Sequence, residues 1–465
     1  MVEKILFISI FKEGYGGGEG RVAYEMARWF SKHYDVVMLC PGEKTGLIED
    51  ETGFKEFHVR SSGDKNLYLP LLNAIEVKRI YDFLEEFKPD VIHMHDPALL
   101  DVIGQLWARY SRVPVFYTAH ILPDRALDFG ATEISSLLNT PINDGLVKRY
   151  LRNFYQQCDA VIGLNQITVT KIRNFGYRGR IFQIPNGRDL ALYHNKKCAD
   201  IKENEKRLTF VGSLGKRKNQ AFLIEAMQYL PAAYHLQLVG VPLDASYQRE
   251  LEKQVKKLGV KVSFLGQLSQ QEVAGVLAKS HAFVSASKME VQSLAIIEAL
   301  ASGSPVIGLG NETVDELVDE SNGMRLPNDA TPAEFAAAVR SVCERPPAAY
   351  KQLCRNAYAR VSALDWSCVM EKTVQCYETV VALQSGRTSI SGIKIYRRFI
   401  FNIPSRRLRN EIIKLVAHLP GLPKKRLALP VRALSIAMLN MSVSVFGYYL
   451  LKLWMGLKRL LKKQQ

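Results

Sequence analysis

Short apolar runs recur along the chain and alternate with stretches whose apolar residues have helical spacing. In the first half, the apolar runs of strand length lie at 4–10, 36–40, 91–94, 115–118, 160–164 and 181–184. In the second half, the runs lie at 207–211, 236–240, 262–266, 282–286 and 305–309. Such alternation is typical of doubly wound α/β proteins with parallel sheets. The pattern therefore predicts two Rossmann-like domains, at 1–195 and 196–365, that face each other across a cleft.

One helical stretch carries an isolated charge. From Leu294 to Ala301 every residue except Glu298 is apolar, which predicts a helix buried on all sides, and Gly303 suits the end of that helix. A buried carboxylate needs a partner because an unpaired buried charge is costly. Glu290 precedes the helix, whose first N–H groups favour anions. A sugar nucleotide offers hydroxyls and phosphate to these groups. The alternative is that Glu298 pairs with a buried arginine and Glu290 is solvated.

The first strand of each half leads into a loop of the kind that binds anions. The loop at 14–20 is rich in glycine and precedes a helix. Its spacing does not match the G-x-G-x-x-G fingerprint, which argues against a nicotinamide or flavin site. The second loop holds Lys216, Arg217 and Lys218. Three cations before a helix suit a diphosphate, and a solvated basic surface is the alternative.

Polar side chains follow two predicted strands of the first domain. His93, His95 and Asp96 close one strand, and His120 follows the next. Ligands of open α/β sheets bind beyond the carboxyl ends of the strands. The two histidines and Asp96 could suggest a metal site, but no further strong ligand is near in sequence, so polar capping is favoured for this group. His120 has two interpretations, a group that acts on an acceptor or a sugar, and a satisfied loop histidine.

The pair Glu290 and Glu298, followed by Ala-Ser-Gly-Ser-Pro-Val-Ile, closely resembles the E-x7-E motif of GT4-type retaining glycosyltransferases of the GT-B fold. The segment at 290–303 is most similar to the corresponding sequence in the branch of this family that glycosylates diacylglycerol. It reads Glu-Val-Gln-Ser-Leu-Ala-Ile-Ile-Glu-Ala-Leu-Ala-Ser-Gly. The resemblance extends over about residues 1–385. It implies an α/β protein of the GT-B fold, in which a helix at 366–386 crosses back to the N-terminal domain.

The resemblance also implies roles for individual residues. Glu298 would hold the ribose hydroxyls, Glu290 would fix the hexose and His120 would act near the acceptor. The other donor-binding residues would be Gly16, Gly17, Gly18, Arg217, Lys218, Ser293 and Leu294. The implied reaction is a front-face displacement that needs no metal and no cofactor. It would move a hexose, with UDP-glucose as the expected donor, to a lipid hydroxyl with retention of configuration.

The chain departs from the family pattern at one donor-site position. Family members carry an arginine after the glycine of the second loop and a lysine five residues later. Lys218 matches the lysine, but Ser213 stands at the arginine position. Arg217 is therefore expected to take over the arginine's role. Two other functions stay open, namely a hexosyltransferase for polyprenyl-linked glycans in polysaccharide or lipopolysaccharide assembly, and a catalytically degenerate membrane scaffold.

The C-terminal tail at 387–465 accounts for the whole net charge of +16. It holds 17 Lys or Arg residues and one acid, Glu411, interleaved with bulky apolar residues. This composition predicts amphipathic helices that bind anionic lipids in the plane of the membrane. The 19 uncharged residues at 433–451 are long enough to consider as a span, which is the less favoured interpretation. Nucleic acid is disfavoured as a partner because it would leave the apolar residues unused.

The cysteines and the tail together predict a location. None of the seven cysteines forms a C-x2-C pair or another metal spacing, which indicates reduced thiols in the cytosol. The expected location is the cytoplasmic face of the cell membrane, where the protein would be peripheral. The expected partners are a nucleotide sugar, a lipid acceptor and anionic membrane lipids.

Overall fold

The computed structural model describes residues 2–64, 67–71, 74–121, 141–194 and 204–384. The predicted membrane-binding tail at 387–465, including 433–451, lies outside the described residues. Within the described ranges, no helix combines the length and the apolar character that a membrane crossing requires.

The N-terminal domain is built on a mixed sheet of nine described strands. The strands run in the order β3-β4-β2-β1-β6-β7-β8-β9, with β5 paired to β4. Their bounds are β1 (Lys4–Ile8), β2 (Asp35–Gly42), β3 (Gly46–Glu49), β4 (Lys55–Asp64), β5 (Leu67–Pro70), β6 (Val91–Met94), β7 (Val115–Thr118), β8 (Ala160–Gly163) and β9 (Arg180–Gln183). The described helices of this domain are α1 (Gly17–Phe30), α2 (Ala74–Phe87), α3 (Leu99–Ser111), α4 (Pro141–Gln156), α5 (Gln166–Asn174) and α6 (Leu190–Tyr193).

The C-terminal domain is built on a parallel sheet in the order β12-β11-β10-β13-β14-β15. Its strands are β10 (Lys206–Val211), β11 (Tyr234–Val239), β12 (Val262–Gly266), β13 (Ala282–Ser285), β14 (Val306–Leu309) and β15 (Gly323–Leu326). Its helices are α7 (Gln220–Ala226), α8 (Ala245–Leu258), α9 (Gln270–Leu277), α10 (Leu294–Ala301), α11 (Glu312–Leu317), α12 (Pro332–Cys343) and α13 (Pro347–Val361). Central strands such as β13 and β14 are buried throughout, which explains their continuous apolar runs.

The prediction of two Rossmann-like α/β domains is confirmed, with one difference at the edge of the first sheet. The hairpin partner β3 and the short strand β5 pair antiparallel with β4, so this sheet is not purely parallel. The pattern of apolar residues does not predict these edge strands, because their apolar side chains do not lie together on a buried face. Leu47 and Ile48 of β3 are both exposed.

In each sheet the strand order reverses once, between β1 and β6 and between β10 and β13. Ligands of doubly wound sheets bind in the crevice at such a reversal. The glycine-rich loop after β1 and the end of β6 border the first crevice. The loop after β10 and the segment after β13 border the second, so the predicted site residues meet at these two points.

A final helix, α14 (Trp366–Gln384), packs on the N-terminal domain. Tyr377 lies against the rings of Phe30 and Phe116, with centroid distances of 5.9 and 4.7 Å. Its hydroxyl forms a hydrogen bond of 2.5 Å with Nδ1 of His93. At the junction, a Cβ on Gly187 would lie 2.1 Å from the ring of Trp366, so only glycine allows this contact. The helix thus joins the end of the described chain to the first sheet.

We expect Tyr377→Phe to lower the free energy of unfolding by about 1–3 kcal/mol, because it leaves a buried nitrogen of His93 without its partner. Urea denaturation of the full chain measures this loss. Glu378→Gln, on an exposed turn of the same helix, is the control and should change stability by less than about 0.5 kcal/mol. Equal stability of the two variants would show that the hydrogen bond does not hold α14 in place.

Candidate active site

Helix α10 provides the floor of the candidate site. All of its residues except the half-buried Ala295 are buried, including Glu298, and Gly303 ends the segment with a φ of 73°, as the sequence predicts. Ser293 is the N-cap, but its side chain makes no capping hydrogen bond. The first amide groups of a helix have no partner within the helix, so the start of α10 presents free N–H groups and a partial positive charge.

The glycine-rich loop lies directly against the start of α10. Gly16 and Gly17 have φ values of 79° and 59°, a region that favours glycine. A Cβ on Gly16 would also clash with the ring of Phe11 at 2.2 Å. At Gly18 a Cβ would lie 3.4 Å from Cδ1 of Leu294, so the two domains are in close contact here. The loop therefore brings backbone groups of the first domain to the helix start of the second.

Glu298 lies between two arginines from other parts of the chain. Its Oε1 is 2.9 Å from Nη1 of Arg21 and 3.3 Å from Nε of Arg188. Glu298 and Arg188 are almost fully buried, and burial lowers the pKa of the Arg188 guanidinium from its usual range. Pairing with a buried arginine is the alternative that the sequence left open for Glu298. A role in ribose binding stays a prediction.

The two arginines belong to a larger charged network. Arg21 of α1 also donates to Glu25 at 2.8 Å and to the hydroxyl of Tyr193 at 3.2 Å. Arg188 forms a second ion pair with Glu25. Because Arg21 and Glu25 lie on α1 whereas Glu298 lies on α10, the network connects the two domains. Sequence reasoning missed both arginines, since nothing in the spacing of either residue indicates a contact so distant along the chain.

Glu290 is paired with the cationic loop. Lys218 forms an ion pair with Oε1 of Glu290, and Nη1 of Arg217 lies 4.0 Å from Oε2. Burial alone would raise the pKa of Glu290, but Lys218 and Arg217 outweigh it and hold that pKa below its usual value. The alternative of a solvated Glu290 is wrong because the residue is buried and ionised beside these cations. A turn of 3₁₀ helix at Lys216–Lys218 presents both cations.

Backbone contacts fix the cationic turn to the segment that carries Glu290. Arg217 donates from Nη1 to the carbonyl of Met289 at 2.9 Å, and the amide of Lys288 donates to the carbonyl of Arg217 at 3.0 Å. Ser213, at the usual arginine position, accepts a hydrogen bond from Gln220 through its backbone carbonyl. Arg217 thus reaches the segment where a replacement for the missing arginine is expected, while its role remains a prediction.

The first domain also holds the Glu290 segment, through two amide side chains that sequence reasoning missed. Asn165 donates from Nδ2 to the carbonyl of Val291 at 2.7 Å, and its Oδ1 caps helix α5. Gln292 donates to the carbonyl of Leu164 at 3.1 Å and accepts from the amide of Asn186 at 2.6 Å. An asparagine between a predicted strand and a helix is a cap signal that could have identified Asn165.

His120 belongs to a buried series of histidine rings. Its Nε2 lies 3.0 Å from Nδ1 of His95, and the His95 ring stacks on His93 at 4.7 Å. Burial lowers the pKa of His120 to about 3. Burial and, to a smaller extent, the nearby His120 lower the pKa of His93, also to about 3. The pKa of His95 is also lowered, mainly by burial. The three rings are therefore neutral at physiological pH, so His120 can exchange hydrogen bonds but carries no charge.

Asp96 caps the loop after β1, which agrees with the polar capping that the sequence favours. Its Oδ2 accepts a hydrogen bond of 2.9 Å from the amide of Ile10. Burial raises the pKa of Asp96, and burial together with Asp96 raises the pKa of Glu19 well above its usual range. A neutral Glu19 can then donate a hydrogen bond to the Asp96 carboxylate.

Two family models match successive halves of the chain. The model "Glycosyltransferase Family 4" matches residues 16–192, and the model "Glycosyl transferases group 1" matches residues 194–360. The two matches meet at the junction between the two sheets and together cover about three quarters of the chain.

The curated relatives are glycosyltransferases of limited identity. An alpha-monoglucosyldiacylglycerol synthase of Streptococcus pneumoniae is 26% identical over 51% of this chain and 56% of its own length. The chain thus matches little more than half of that relative. A GDP-mannose-dependent alpha-mannosyltransferase of Corynebacterium glutamicum is 23% identical over 75% of this chain and 82% of its own length. An Escherichia coli UDP-Gal:alpha-D-GlcNAc-diphosphoundecaprenol alpha-1,3-galactosyltransferase is 26% identical over 60% of this chain and 72% of its own length.

Solved structures share the two-domain architecture. HepE of Anabaena, in complex with UDP and glucose, superposes with a TM-score of 0.63 at 21% identity, over 82% of this chain and 100% of its own. Sucrose-phosphate synthase of Thermosynechococcus elongatus gives a TM-score of 0.67, also at 21% identity, over 82% and 100% of the two chains. At this identity the likeness shows the fold alone.

The neutral state of His120 predicts a pH dependence of stability. An unfolded chain protonates this histidine near pH 6.5, whereas the folded chain does so near pH 3. The unfolded state therefore binds more protons between these values, and His120 makes the wild type lose stability as the pH falls through that window. The free energy of unfolding, measured by denaturant titration, should fall between pH 7 and pH 5 by about 2 kcal/mol less in His120→Asn than in the wild type.

Glu19 and Asp96 titrate in both of these proteins, so the difference between wild type and variant isolates His120. His33→Asn, at an exposed histidine of the first domain, is the control. A wild type and a His120→Asn variant with the same pH dependence would contradict the burial of a neutral His120.

The two family matches agree with the shared architecture. They also agree with the position of Glu290 and Glu298 at the domain cleft, where each carboxylate forms ion pairs with basic side chains. The chain belongs to the GT4-type glycosyltransferases of the GT-B fold.

Proposed function

We propose that the enzyme transfers glucose from UDP-glucose to the hydroxyl of a membrane lipid such as diacylglycerol, with retention of configuration. The observation that carries the proposal is the convergence of three features at the cleft. These are the start of α10 beside Gly18, the Lys218–Glu290 ion pair, and Glu298 between two arginines. Each offers what one part of a sugar nucleotide requires.

The diphosphate would lie between the glycine-rich loop and the start of α10. Free N–H groups from both segments would bind its oxygens, and Lys218 and Arg217 would supply charge. Both cations are already fixed beside Glu290, so little reorganisation is needed when charge develops on the departing phosphate. Preorganised charge of this kind is commonly the largest single contribution to catalysis.

The two carboxylates would bind hydroxyl groups of the donor. Glu290 is held ionised by its neighbours and would accept hydrogen bonds from the hexose. Glu298 would accept from the ribose hydroxyls, and its ion pairs with Arg21 and Arg188 would fix the position of the buried carboxylate. Ionised acceptors form stronger hydrogen bonds than neutral ones, so both residues would orient the donor.

His120 would act at the acceptor. A neutral imidazole in the first crevice can hydrogen-bond the acceptor hydroxyl without adding charge next to the sugar. In a front-face displacement the acceptor oxygen bonds to the anomeric carbon as the bond to the diphosphate breaks, and the hydroxyl proton passes to the departing phosphate oxygen. His120 would orient that hydroxyl, and the reaction would use no metal.

The nature of the acceptor rests on the relatives and on the tail. The similarity to alpha-monoglucosyldiacylglycerol synthases of Streptococcus pneumoniae and Acholeplasma laidlawii supports diacylglycerol as the acceptor. The Escherichia coli galactosyltransferase favours a second candidate, a polyprenyl-linked glycan. Both acceptors reside in membranes, and the basic tail at 387–465 would bring the cleft to an anionic cytoplasmic surface.

We expect the full-length enzyme to move radiolabelled glucose from UDP-glucose into chloroform-soluble lipid on anionic vesicles that contain diacylglycerol. Glu298→Gln should lower the rate at least about 100-fold, because it removes the charge of a donor-binding group. Glu76→Gln is the matched control, since Glu76 is also buried and paired with an arginine but lies on α2. It should keep nearly full activity.

A Glu298→Gln enzyme that transfers glucose as fast as the wild type would contradict the role of Glu298. Label that enters only polyprenyl-linked glycans, when these replace diacylglycerol, would establish the second candidate. Absence of both transfer and sugar-nucleotide hydrolysis with every donor tested would favour the degenerate scaffold.

The tail generates a separate prediction. Replacement of Lys458, Arg459, Lys462 and Lys463 by glutamine should weaken sedimentation with anionic vesicles at least about tenfold, since each cation near the surface contributes about 1 kcal/mol. The matched control replaces four cations of α8 by glutamine, namely Arg249, Lys253, Lys256 and Lys257. An equal loss of binding in both variants, or equal binding of the wild type to neutral vesicles, would contradict electrostatic attachment through the tail.

A further inference from the structure

Three side chains of different chemistry, none of which is assigned a role in transfer, meet in the first sheet. Cys40 lies on β2, and Glu56 and His58 lie on β4. The parallel pairing of the two strands places Cys40 opposite His58. Glu56 precedes His58 by two residues, and alternate residues of a strand point to the same face. The thiol, the carboxylate and the imidazole therefore share one face of the sheet.

The ligand atoms of this cluster are close to one another. Sγ of Cys40 lies 3.5 Å from Oε1 of Glu56, and Nε2 of His58 lies 3.3 Å from Oε2 of Glu56. One sulfur, oxygen or nitrogen atom from each residue lies within 4.8 Å of the other two. Among the residues that the structure describes, this is the group of three whose atoms could hold a metal ion.

Each of these separations is close to the distance between two ligands of a tetrahedral zinc site. Zinc binds cysteine sulfur at about 2.3 Å and histidine nitrogen or carboxylate oxygen at about 2.0–2.2 Å. With tetrahedral angles, a sulfur and an oxygen ligand then lie about 3.6 Å apart, and a nitrogen and an oxygen ligand about 3.4 Å apart. Each contact is within about 0.1 Å of these values, but the two contacts use different oxygens of Glu56. One ligand atom of each residue lies within 4.8 Å of the other two, so rotation of the side chains would bring a single Glu56 oxygen to both partners.

We propose that Cys40, Glu56 and His58 form a zinc-binding site. Binding requires the Cys40 thiol to lose its proton, after which the thiolate and the Glu56 carboxylate together balance the two positive charges of the ion. Neutral imidazole adds a third ligand without charge. This mixture of sulfur, nitrogen and oxygen ligands suits Zn²⁺ far better than Mg²⁺ or Ca²⁺, which prefer oxygen alone.

The surroundings provide both an entry path and a fourth ligand. Cys40 is fully buried, but the side chains of Glu56 and His58 are 16% and 20% exposed, so an ion can approach from solvent. The Tyr24 hydroxyl of α1 interacts with both Cys40 and Glu56, and Lys12 is the nearby cation. Either the tyrosine oxygen or a water molecule would complete the tetrahedron.

The site would stabilise the first domain and would take no part in transfer. It would join β2 to β4 and, through Tyr24, to α1, the helix that begins at the glycine-rich loop. In the protein without metal, hydrogen bonds among the three side chains satisfy the same groups. An experiment must therefore distinguish a cluster that binds a metal ion from one that is held by hydrogen bonds alone.

The test uses Co²⁺ as a spectroscopic substitute for Zn²⁺. Full-length protein without a histidine tag is stripped with a chelator and titrated with Co²⁺. We expect one ion per chain, with a near-ultraviolet thiolate-to-cobalt absorption band that Zn²⁺ abolishes by displacement. Cys40→Ser should remove the band and lower the affinity at least about tenfold, because serine can donate the same hydrogen bond but is a poor zinc ligand.

Cys343→Ser is the matched control, since Cys343 is a buried free cysteine of the other domain. It should keep the band, and Zn²⁺ should raise the melting temperature of this control and of the wild type but not of Cys40→Ser. His58→Gln provides an independent variant if Cys40→Ser fails to fold, and should also weaken binding at least about tenfold. Absence of the band in the wild type, or equal binding by wild type, Cys40→Ser and His58→Gln, would overturn the proposal.

Discussion

The arrangement of the two domains depends on the burial of one charge. Glu298 lies in a helix whose other residues are apolar, so no side chain of its own helix can pair with the carboxylate. The residue is also buried from solvent. Breaking a buried ion pair by removing one partner costs about 3–5 kcal/mol. The partners come from α1, through Arg21, and from the domain junction, through Arg188. The charge can therefore be buried only when both domains and the junction adopt their present positions.

The same logic extends to Glu290. Its carboxylate is balanced by Lys218 and approached by Arg217, and its loop is held by Asn165 of the other domain. In the proposed reaction, the groups that would bind hydroxyls and the groups that would bind phosphate are thus already opposed across the cleft. Donor binding would exchange ion pairs within the protein for contacts with the donor, which limits the net electrostatic cost of binding.

The sequence predicted the elements well and their long-range partners poorly. Helix α10 has the predicted bounds because eight residues with one charge leave few alternatives. Arg21 and Arg188 could not be chosen as partners of Glu298 from the sequence, since ion pairs leave no local pattern. The cluster of Cys40, Glu56 and His58 was missed because β4 was not predicted. On that strand, polar residues such as Glu56 and His58 interrupt the apolar pattern.

The position of α1 relative to α10 sets the geometry of both halves of the candidate donor site. Gly18 and Arg21 lie within one turn of α1, and they contact Leu294 and Glu298, which are one turn apart on α10. A shift of α1 would therefore displace the phosphate-binding loop and the partner of Glu298 together. At its other end, α1 packs through Phe30 on α14. The final helix thereby supports the donor site, since it holds the far end of the helix that carries both contacts.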